Sequence, residues 1–177
     1  MEIHAHGVVH GDVKPSNIVF FPENVKWKLI DLDGAQKARE RRAVCFTAPY
    51  AAPEVLRGWQ EGELPVAQPS SDIWSCGIVA YEVLTGERRF KLISFVTTLP
   101  VCVGNRMFED DLTHDEILEF VLEGKVEEKL DAMENGSHRE AISQFLNLDP
   151  KERWSAAEAL QHVVFQSDPQ TTWTQVS

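Results

Sequence analysis

Four polar residues near the start of the chain have types and spacings that suit phosphate chemistry. Asp12, Lys14 and Asn17 follow one another closely, and Asp31 ends an apolar run that is typical of a strand. Pro15 excludes regular helix here, because proline lacks an N–H group and restricts the residue before it. Acid and amide oxygens are ligands that Mg²⁺ prefers, and a lysine neutralises phosphate charge. The set therefore predicts a metal-bridged phosphate site carried on loops.

Two short strands are predicted between Asn17 and Asp31. Residues 18–21 and 25–30 are largely apolar, and residues 22–24 between them carry turn chemistry. In the second strand apolar residues alternate with lysines, which predicts one buried face and one wet face. A hairpin of this kind places Asn17 and Asp31 side by side, at the two ends of one small ribbon. Both side chains could then reach the same metal cluster.

The same stretches resemble signature motifs of the eukaryotic-type protein kinases. Residues 10–17 are similar to the catalytic loop H-R-D-L-x-x-x-N, and Asp31 begins a stretch that is similar to the magnesium motif D-F-G. Three later motifs follow in the family's order, namely A-P-E at 52–54, D-x-W-S-x-G at 72–77 and L-x-x-D-P-x-x-R ending at Arg153. On these five motifs the chain is identified as a member of that family, similar to the Ser/Thr kinases.

The resemblance implies a mainly α fold, the C-terminal lobe of a protein kinase, with a small β-hairpin near the catalytic loop. The sequence contains no match to the Gly-rich loop or to the strand lysine of the small N-terminal lobe, so we expect that lobe to be absent from this chain. We expect a partial kinase domain at 1–166, in which the apolar stretch 91–104 is a suspected insertion. A polar tail is expected at 167–177.

The resemblance also assigns roles within a phosphoryl-transfer reaction that uses ATP and Mg²⁺. It implies that Asp12 accepts the proton of a substrate hydroxyl and that Lys14 neutralises charge on the transferred phosphoryl group. Asn17 and Asp31 are expected to hold the magnesium ions that bridge the ATP phosphates. Thr47 is expected to orient Asp12 and Lys14, and a threonine there favours protein substrates that carry Ser or Thr.

Two departures from the family pattern leave a second class of function open. Gly11 stands where most members have an arginine that docks a phosphorylated residue, and residues 33–45 contain no Ser, Thr or Tyr. Asp33 occupies the glycine position of D-F-G, one residue before Gly34. The leading hypothesis is a Ser/Thr kinase, active without phosphorylation of this segment, whose 177-residue chain is inactive alone. The alternative is a pseudokinase or a scaffold that binds without transfer.

The composition indicates which kinds of partner and which cellular compartment the protein is suited to. The net charge of −11 and the pI near 4.9 argue against a nucleic-acid-binding surface. No amino-terminal apolar run resembles a signal peptide, and the apolar stretch at 91–104 is too short to span a bilayer as a helix. The three cysteines form no C-x-x-C pair, which favours the cytoplasm or the nucleus. The sequence predicts no oligomeric state.

Further residues are predicted to support the loops that carry the chemistry. The resemblance implies that Asp72 holds the catalytic-loop backbone near His10, and that Glu54 and Arg153 form a buried ion pair. His10 is expected to be a packed loop histidine rather than a general base. The H-x-H pair at 4–6 is read as a remnant of a helix, with a metal site as the less favoured alternative.

Sequence signals also predict how the helices begin and what they bury. Residues 113–116 and 155–158 each fit the capping box S/T-x-x-E, and the apolar stripes after them are expected in the core, including Leu160 and Val163. Leu148 is expected to end a third buried stripe. Ser70 or Ser71 is predicted to cap a long helix that is apolar on all sides and therefore buried. Gly86 is predicted to end that helix.

Overall fold

The computed structural model describes residues 2–23, 26–41, 46–85, 107–108, 112–134 and 136–166. Helices and strands alternate only in the first part, and the remainder is helical. The strands are β1 (Val8–Val9), β2 (Ile18–Phe21), β3 (Lys26–Leu29) and β4 (Gln36–Lys37). The helices are α1 (Glu2–Ala5), α2 (Pro53–Gln60), α3 (Pro69–Leu84), α4 (His114–Leu122), α5 (Lys125–Asp131), α6 (Ser137–Phe145) and α7 (Ala156–Ala159). Three 3₁₀ turns lie at Pro15–Asn17, Ala48–Tyr50 and Val163–Phe165.

Two small antiparallel sheets organise the first part of the chain. Strand β2 pairs with β3, with Ile18 opposite Leu29, which confirms the predicted hairpin; residues 24 and 25 lie outside the described residues. Strand β1 pairs with β4, with Val9 opposite Gln36. This second pairing was not predicted, and it returns the chain after Asp31 to the start of the catalytic loop. The mainly helical architecture with a small hairpin is confirmed.

One prediction about the hairpin is wrong. The side chain of Trp27 is 54% exposed, although the alternation of apolar residues and lysines predicted that its face would be buried. It packs against Phe20 across the hairpin, with ring centroids 5.1 Å apart. A two-stranded ribbon is only partly covered by the body of the protein, so an alternating pattern does not ensure burial of either face.

Helix α3 forms the centre of the helical part. Trp74 and Ile78 are completely buried, and buried residues lie on several sides of the helix, as its sequence predicted. Gly77 allows α6 to pack closely, because a Cβ atom at this position would lie only 2.7 Å from the Leu146 side chain. Any larger residue would push the two helices apart, and this explains the glycine of the motif at 72–77.

The expected start of α3 needs correction. The residue before the helix is Gln68, and it makes no side-chain capping bond; Pro69 opens the first turn instead. A proline suits that position because its missing N–H would have no helical partner there. The Ser71 hydroxyl donates to Glu54 Oε1 at 3.2 Å rather than capping the helix. Gly86 lies outside the described residues, so its predicted role stays a prediction.

The two capping boxes are confirmed. In α4 the Thr113 hydroxyl accepts from the Glu116 N–H, and the Glu116 carboxylate accepts from the Thr113 N–H at 2.8 Å. Ser155 and Glu158 make the same reciprocal bonds at the start of α7. These contacts satisfy backbone donors that the first helical turn leaves free.

Six apolar residues expected in the core are exposed, namely Val83, Leu84, Leu122, Leu148, Leu160 and Val163. The first three lie in the last turns of α3 and α4. Leu148 follows the end of α6, and Leu160 and Val163 follow α7, which is only four residues long. Their spacing continues a helical stripe in sequence, but the backbone leaves the helix before it reaches them. The suspected insertion at 91–104 and the tail at 167–177 lie outside the described residues, and both stay predictions. No helix in the described part of the chain is long and apolar enough to cross a membrane.

Candidate active site

The backbone of the loop before Asp12 is held by one carboxylate from α3. Asp72 accepts the His10 N–H at 2.8 Å and the Gly11 N–H at 2.9 Å, one on each oxygen. His4 Nε2 lies 2.8 Å from Asp72 Oδ2, so α1 is tied to the same point. The predicted contact of Asp72 with the loop near His10 is confirmed. The contact of His4 was missed, because the sequence offered only a remnant of a helix there.

His10 is a structural residue. Its side chain is fully buried, Nδ1 accepts the Asp12 N–H at 3.2 Å, and Nε2 lies 3.0 Å from the Ile30 carbonyl oxygen. Since Nδ1 accepts a hydrogen bond and a carbonyl oxygen can only accept, Nε2 must carry the proton and donate. The ring therefore links the Asp12 loop to the end of β3, and the prediction of a packed loop histidine is confirmed.

Asp12, Lys14 and Thr47 form a closed set of contacts. Lys14 Nζ donates to Asp12 Oδ2 at 2.6 Å and to Thr47 Oγ1 at 2.8 Å, and the Thr47 hydroxyl donates to Asp12 Oδ1 at 2.7 Å. Asp12 and Lys14 lie on one loop, and Thr47 lies on a second loop more than thirty residues later in the sequence. Asp12 and Lys14 keep partial exposure, with side-chain values of 17% and 24%, so both can be reached from solvent.

Asn17 and Asp31 lie next to one another at the open end of the hairpin. The Ile30 N–H donates to the Asn17 carbonyl oxygen at 2.9 Å, which continues the β2–β3 pairing by one step and brings Asp31 beside Asn17. Asn17 Nδ2 donates to the Asp12 carbonyl oxygen at 2.9 Å, so the amide oxygen remains as the atom for a cation. Asp31 is exposed, with φ at 64°. An amide oxygen and a carboxylate are a donor set that Mg²⁺ accepts.

Asp33 creates no backbone strain at the glycine position of the magnesium motif. Among the described residues other than glycine, only Asp31 and Arg39 have positive φ. Asp33 therefore adopts a conformation that any residue can take, and the freedom of a glycine is not needed there in this structure.

The amino-terminal histidines make contacts that compete with metal binding. His4 contacts Asp72, and the His6 ring nitrogen Nδ1 donates to the Glu2 carbonyl oxygen at 3.1 Å. Within the described ranges no group of three or more His, Cys, Asp or Glu side chains could hold a metal ion. The H-x-H pair is therefore best explained by local structure.

The segment that carries Thr47 is anchored at its far end by an ion pair. Both guanidinium Nη atoms of Arg153 donate to the Glu54 carboxylate, at 2.6 Å and 2.8 Å, and the Arg153 side chain is fully buried. Arg153 Nε also donates to the Asn147 carbonyl oxygen at 2.6 Å. The predicted pair is confirmed, and it joins the start of α2 to the loop after α6.

A second anchor of the same segment was missed by the sequence analysis. The Ser75 hydroxyl donates to the Tyr50 carbonyl oxygen at 2.7 Å, and the Tyr50 hydroxyl donates to Glu82 Oε2 at 3.0 Å. All three residues are buried. A signal existed, because a glutamate inside the apolar helix α3 requires a polar partner when it is buried.

The thiol of Cys76 on α3 is kept in its neutral form. Burial, together with the nearby negative charge of Asp72, raises the pKa of Cys76 from 9.0 to about 12. A neutral thiol is a poor nucleophile and metal ligand. Cys76 is a free cysteine, and its chemistry gives it no part in the site.

The comparisons agree with this fold and with these motifs. A family model described as the protein kinase domain matches residues 1–165, and the chain belongs to that family. It is 27% identical over 172 residues to the phosphorylase b kinase gamma catalytic chain, liver/testis isoform, of Mus musculus, covering 93% of this chain and 37% of the relative. It is 31% identical over 173 residues to ribosomal protein S6 kinase 2 alpha of Xenopus laevis, covering 90% and 20%. The chain thus spans between about a fifth and somewhat over a third of these relatives.

Proposed function

We propose that this chain is the part of a protein serine/threonine kinase that carries the transfer chemistry, moving the γ-phosphoryl group of ATP to Ser or Thr hydroxyls of a protein. The observation that carries the proposal is the closed contact of Asp12, Lys14 and Thr47, beside Asn17 and Asp31. The names of the similar proteins are those of kinases, which supports the reaction class.

In the proposed mechanism each side chain acts at a stated atom. A carboxylate oxygen of Asp12 accepts the proton of the substrate hydroxyl as the hydroxyl oxygen attacks phosphorus. Thr47 holds that carboxylate by donating to Oδ1, which fixes its direction. Lys14 stands 2.6 Å from the other oxygen and brings positive charge to the place where the phosphoryl group must pass. Positioning and charge neutralisation supply most of the catalysis in phosphoryl transfer.

Asn17 and Asp31 fit the magnesium that this reaction requires. Asn17 Oδ1 and the Asp31 carboxylate would hold it, and the bond from Asn17 Nδ2 to the Asp12 backbone sets which amide atom is presented. When bound with ATP, magnesium neutralises charge on the phosphates. The chain's own contribution is to keep these two oxygen donors adjacent to Asp12 through the β2–β3 pairing.

Threonine at position 47 supports the choice of Ser/Thr substrates over tyrosine. The proposed partners are a protein substrate with Ser or Thr, and ATP; we propose no nucleic acid and no membrane as a partner. The cytoplasm or the nucleus is the proposed location, in keeping with the unpaired state of Cys76.

We further propose that the 177-residue chain does not catalyse transfer by itself. Its sequence carries no Gly-rich loop and no matching strand lysine to cover the nucleotide. Poor orientation of reactants can cost about 7–11 kcal/mol of barrier, more than the remaining side chains can offset. Transfer by the purified chain that is lost in Asp12→Asn would contradict this.

The test of the function uses this chain joined in one polypeptide to a small amino-terminal kinase lobe, with a mixed Ser/Thr/Tyr peptide library and labelled ATP. We expect transfer to Ser and Thr but not to Tyr, and we expect Asp12→Asn to abolish transfer while nucleotide binding remains. Asp115→Asn, at an exposed position in the first turn of α4, serves as the matched control and should keep activity. Peptide binding without transfer by the wild type would instead establish the pseudokinase or scaffold alternative, and transfer that survives Asp12→Asn would refute the assigned role.

A further inference from the structure

A groove lies between the segment that follows β4, the start of helix α3 and the residues ahead of α7. Its volume is about 470 Å³, large enough to receive side chains of a peptide. We call it the Arg39 groove, and its lining includes Arg39, Gln68, Ser70, Ile73, Pro150 and Trp154. None of the five residues of the candidate active site lines it, so it is a separate surface of the protein.

The described residues that line the groove include basic side chains and no acid. The polar ones are Arg39, Gln68, Ser70, Arg153 and Ser155. The charge of Arg153 is balanced by its pair with Glu54, and the Ser155 hydroxyl accepts the Glu158 N–H. Arg39 is exposed, and within the described part of the chain it takes part in no ion pair. The groove therefore carries one cation whose charge its own lining does not balance.

The wall that carries Arg39 is preformed. The Arg39 N–H donates to the Ala67 carbonyl oxygen at 2.8 Å, and the Ala67 N–H donates to the Glu40 carbonyl oxygen at 2.9 Å. Arg41 pairs with Val66 in an isolated β-bridge. Arg39 has a φ of 72°, a region that residues other than glycine seldom adopt, and these bonds hold it there. A partner would not have to order this segment on binding, which lowers the entropic cost of association.

The rest of the groove offers apolar surface. The buried side chain of Ile73 lines it, together with Pro150 and Trp154. The Trp154 ring packs against Phe145 and His162, with ring centroids 6.2 Å and 5.1 Å apart, so the indole is held in place. A ligand that met Arg39 alone would leave this apolar surface in water. The lining therefore fits a ligand that carries an acid and an apolar group side by side.

The charge of the whole chain limits the size of the acidic partner. Residues 37–42 contain four basic residues and one acid, whereas the net charge of the chain is −11. A long polyanion, such as nucleic acid or an anionic membrane surface, would be repelled by the acidic remainder of the protein. A short acidic segment can reach Arg39 without meeting that remainder.

We propose that the Arg39 groove docks a short acidic segment of a partner protein. A carboxylate of that segment pairs with the Arg39 guanidinium, whose planar donors suit the two oxygens of an acid. A neighbouring apolar side chain of the segment packs on Trp154 and Pro150. Docking here requires no phosphoryl transfer, so it does not depend on the function proposed above.

The test titrates the ¹⁵N-labelled 177-residue chain with the blocked peptide acetyl-Gly-Asp-Asp-Phe-Gly-amide. We expect saturable shifts of the Arg39 and Ser70 amide signals and of the Trp154 indole signal. Arg39→Gln, which keeps much of the stem but loses the charge, should weaken binding by about threefold to tenfold, as expected for a partly exposed charge pair. Arg57→Gln removes an equal charge at an exposed position of α2 outside the groove, and this matched control should bind as the wild type does.

Two peptide variants test the wild-type chain, so the proposal does not depend on the folding of Arg39→Gln. Replacing both Asp residues of the peptide by Asn, or its Phe by Ser, should each weaken binding severalfold. Equal affinity for the Asn peptide, equal affinity for the Ser peptide, or unchanged binding by a folded Arg39→Gln would each overturn the proposal. Tighter binding of oligo(dT) through the same signals would assign the groove to nucleic acid, and shifts of these signals with protein concentration alone would assign it to a second copy of the chain. Either result would also overturn it.

Discussion

Replacement of Arg153 by leucine tests the energetic importance of the buried ion pair. The arginine side chain is fully buried and donates two hydrogen bonds to Glu54 and one to the Asn147 carbonyl oxygen. Its guanidinium also lies 5.0 Å from the centre of the Trp74 ring. Leucine would keep part of the apolar packing and remove every one of these polar contacts.

The expected loss follows from what remains after the change. Removing one partner of a buried pair typically costs about 3–5 kcal/mol, because the other charge stays buried without compensation. The Glu54 side chain is 21% exposed, so water can reach it and the lower part of that range applies. The Asn147 carbonyl oxygen also loses its hydrogen bond, and this adds about 1 kcal/mol or more to the loss of stability. We therefore expect Arg153→Leu to lower the free energy of unfolding by about 3–5 kcal/mol, a large share of the stability of a domain this size.

The assay is urea unfolding followed by circular dichroism, on Arg153→Leu, Glu54→Gln and the double variant. Arg153→Lys is the matched control, since it keeps the charge but loses the two-pronged geometry, and should lie between wild type and leucine. The double variant should be more stable than the sum of the single losses predicts, by about 1–3 kcal/mol. Strictly additive losses would show that Glu54 and Arg153 do not stabilise one another, and would refute the reasoning.

Three other predictions concern the site and the helix starts. If the chain acts as proposed when joined to a small lobe, Thr47→Val in that polypeptide should lower kcat by about 10–100-fold, because it removes a hydroxyl bonded to both Asp12 and Lys14. Thr47→Ser should keep most activity, and equal loss in both variants would contradict the role of the hydroxyl. Phosphatase treatment should leave activity unchanged, because residues 33–45 contain no hydroxyl side chain; a loss of activity traced to a phosphate in that segment would contradict this. The bond from the Thr113 N–H lowers the pKa of Glu116 below 4.5, so this contribution to stability is present above pH 4.5 and is lost as the pH falls through the folded-state value. In Glu116→Gln, stability should therefore fall less between pH 5 and pH 3 than in the wild type, and identical slopes would contradict it.

Local signals predicted the local structure well. The two capping boxes and the hairpin each depend on a few neighbouring residues, and each is present in the structure. The motif residues that resemble a known family also predicted two long-range contacts, Asp72 with the catalytic loop and Glu54 with Arg153. Composition or periodicity alone would have given neither contact.

The wrong predictions share a physical cause. The burial and the bonding partners of a side chain depend on which other elements pack around it, and the local sequence does not contain that information. Trp27 and Leu160 follow correct local patterns, yet both are exposed, because a stripe is buried only where another element packs on it. Ser71 had the right type for a helix cap, but Pro69 took the first turn and the Ser71 hydroxyl bonded to Glu54. The Arg39 groove could not be predicted from the sequence for the same reason, since segments distant in sequence form it.

Helix α3 bonds to both loops of the site, the loop with Asp12 and the segment with Thr47. Asp72 near its start holds the catalytic-loop backbone, Ser75 one turn later holds the Tyr50 carbonyl oxygen, and Glu82 near its end holds the Tyr50 hydroxyl. Gly77, between them, sets the close approach of α6. The loop with Asp12 and the segment with Thr47 are therefore both bonded to α3, and the Glu54–Arg153 pair holds the segment as well. The bonds among Asp12, Lys14 and Thr47 can accordingly be lost in a single variant without moving either backbone, and this makes side-chain substitutions at the site interpretable as changes in chemistry.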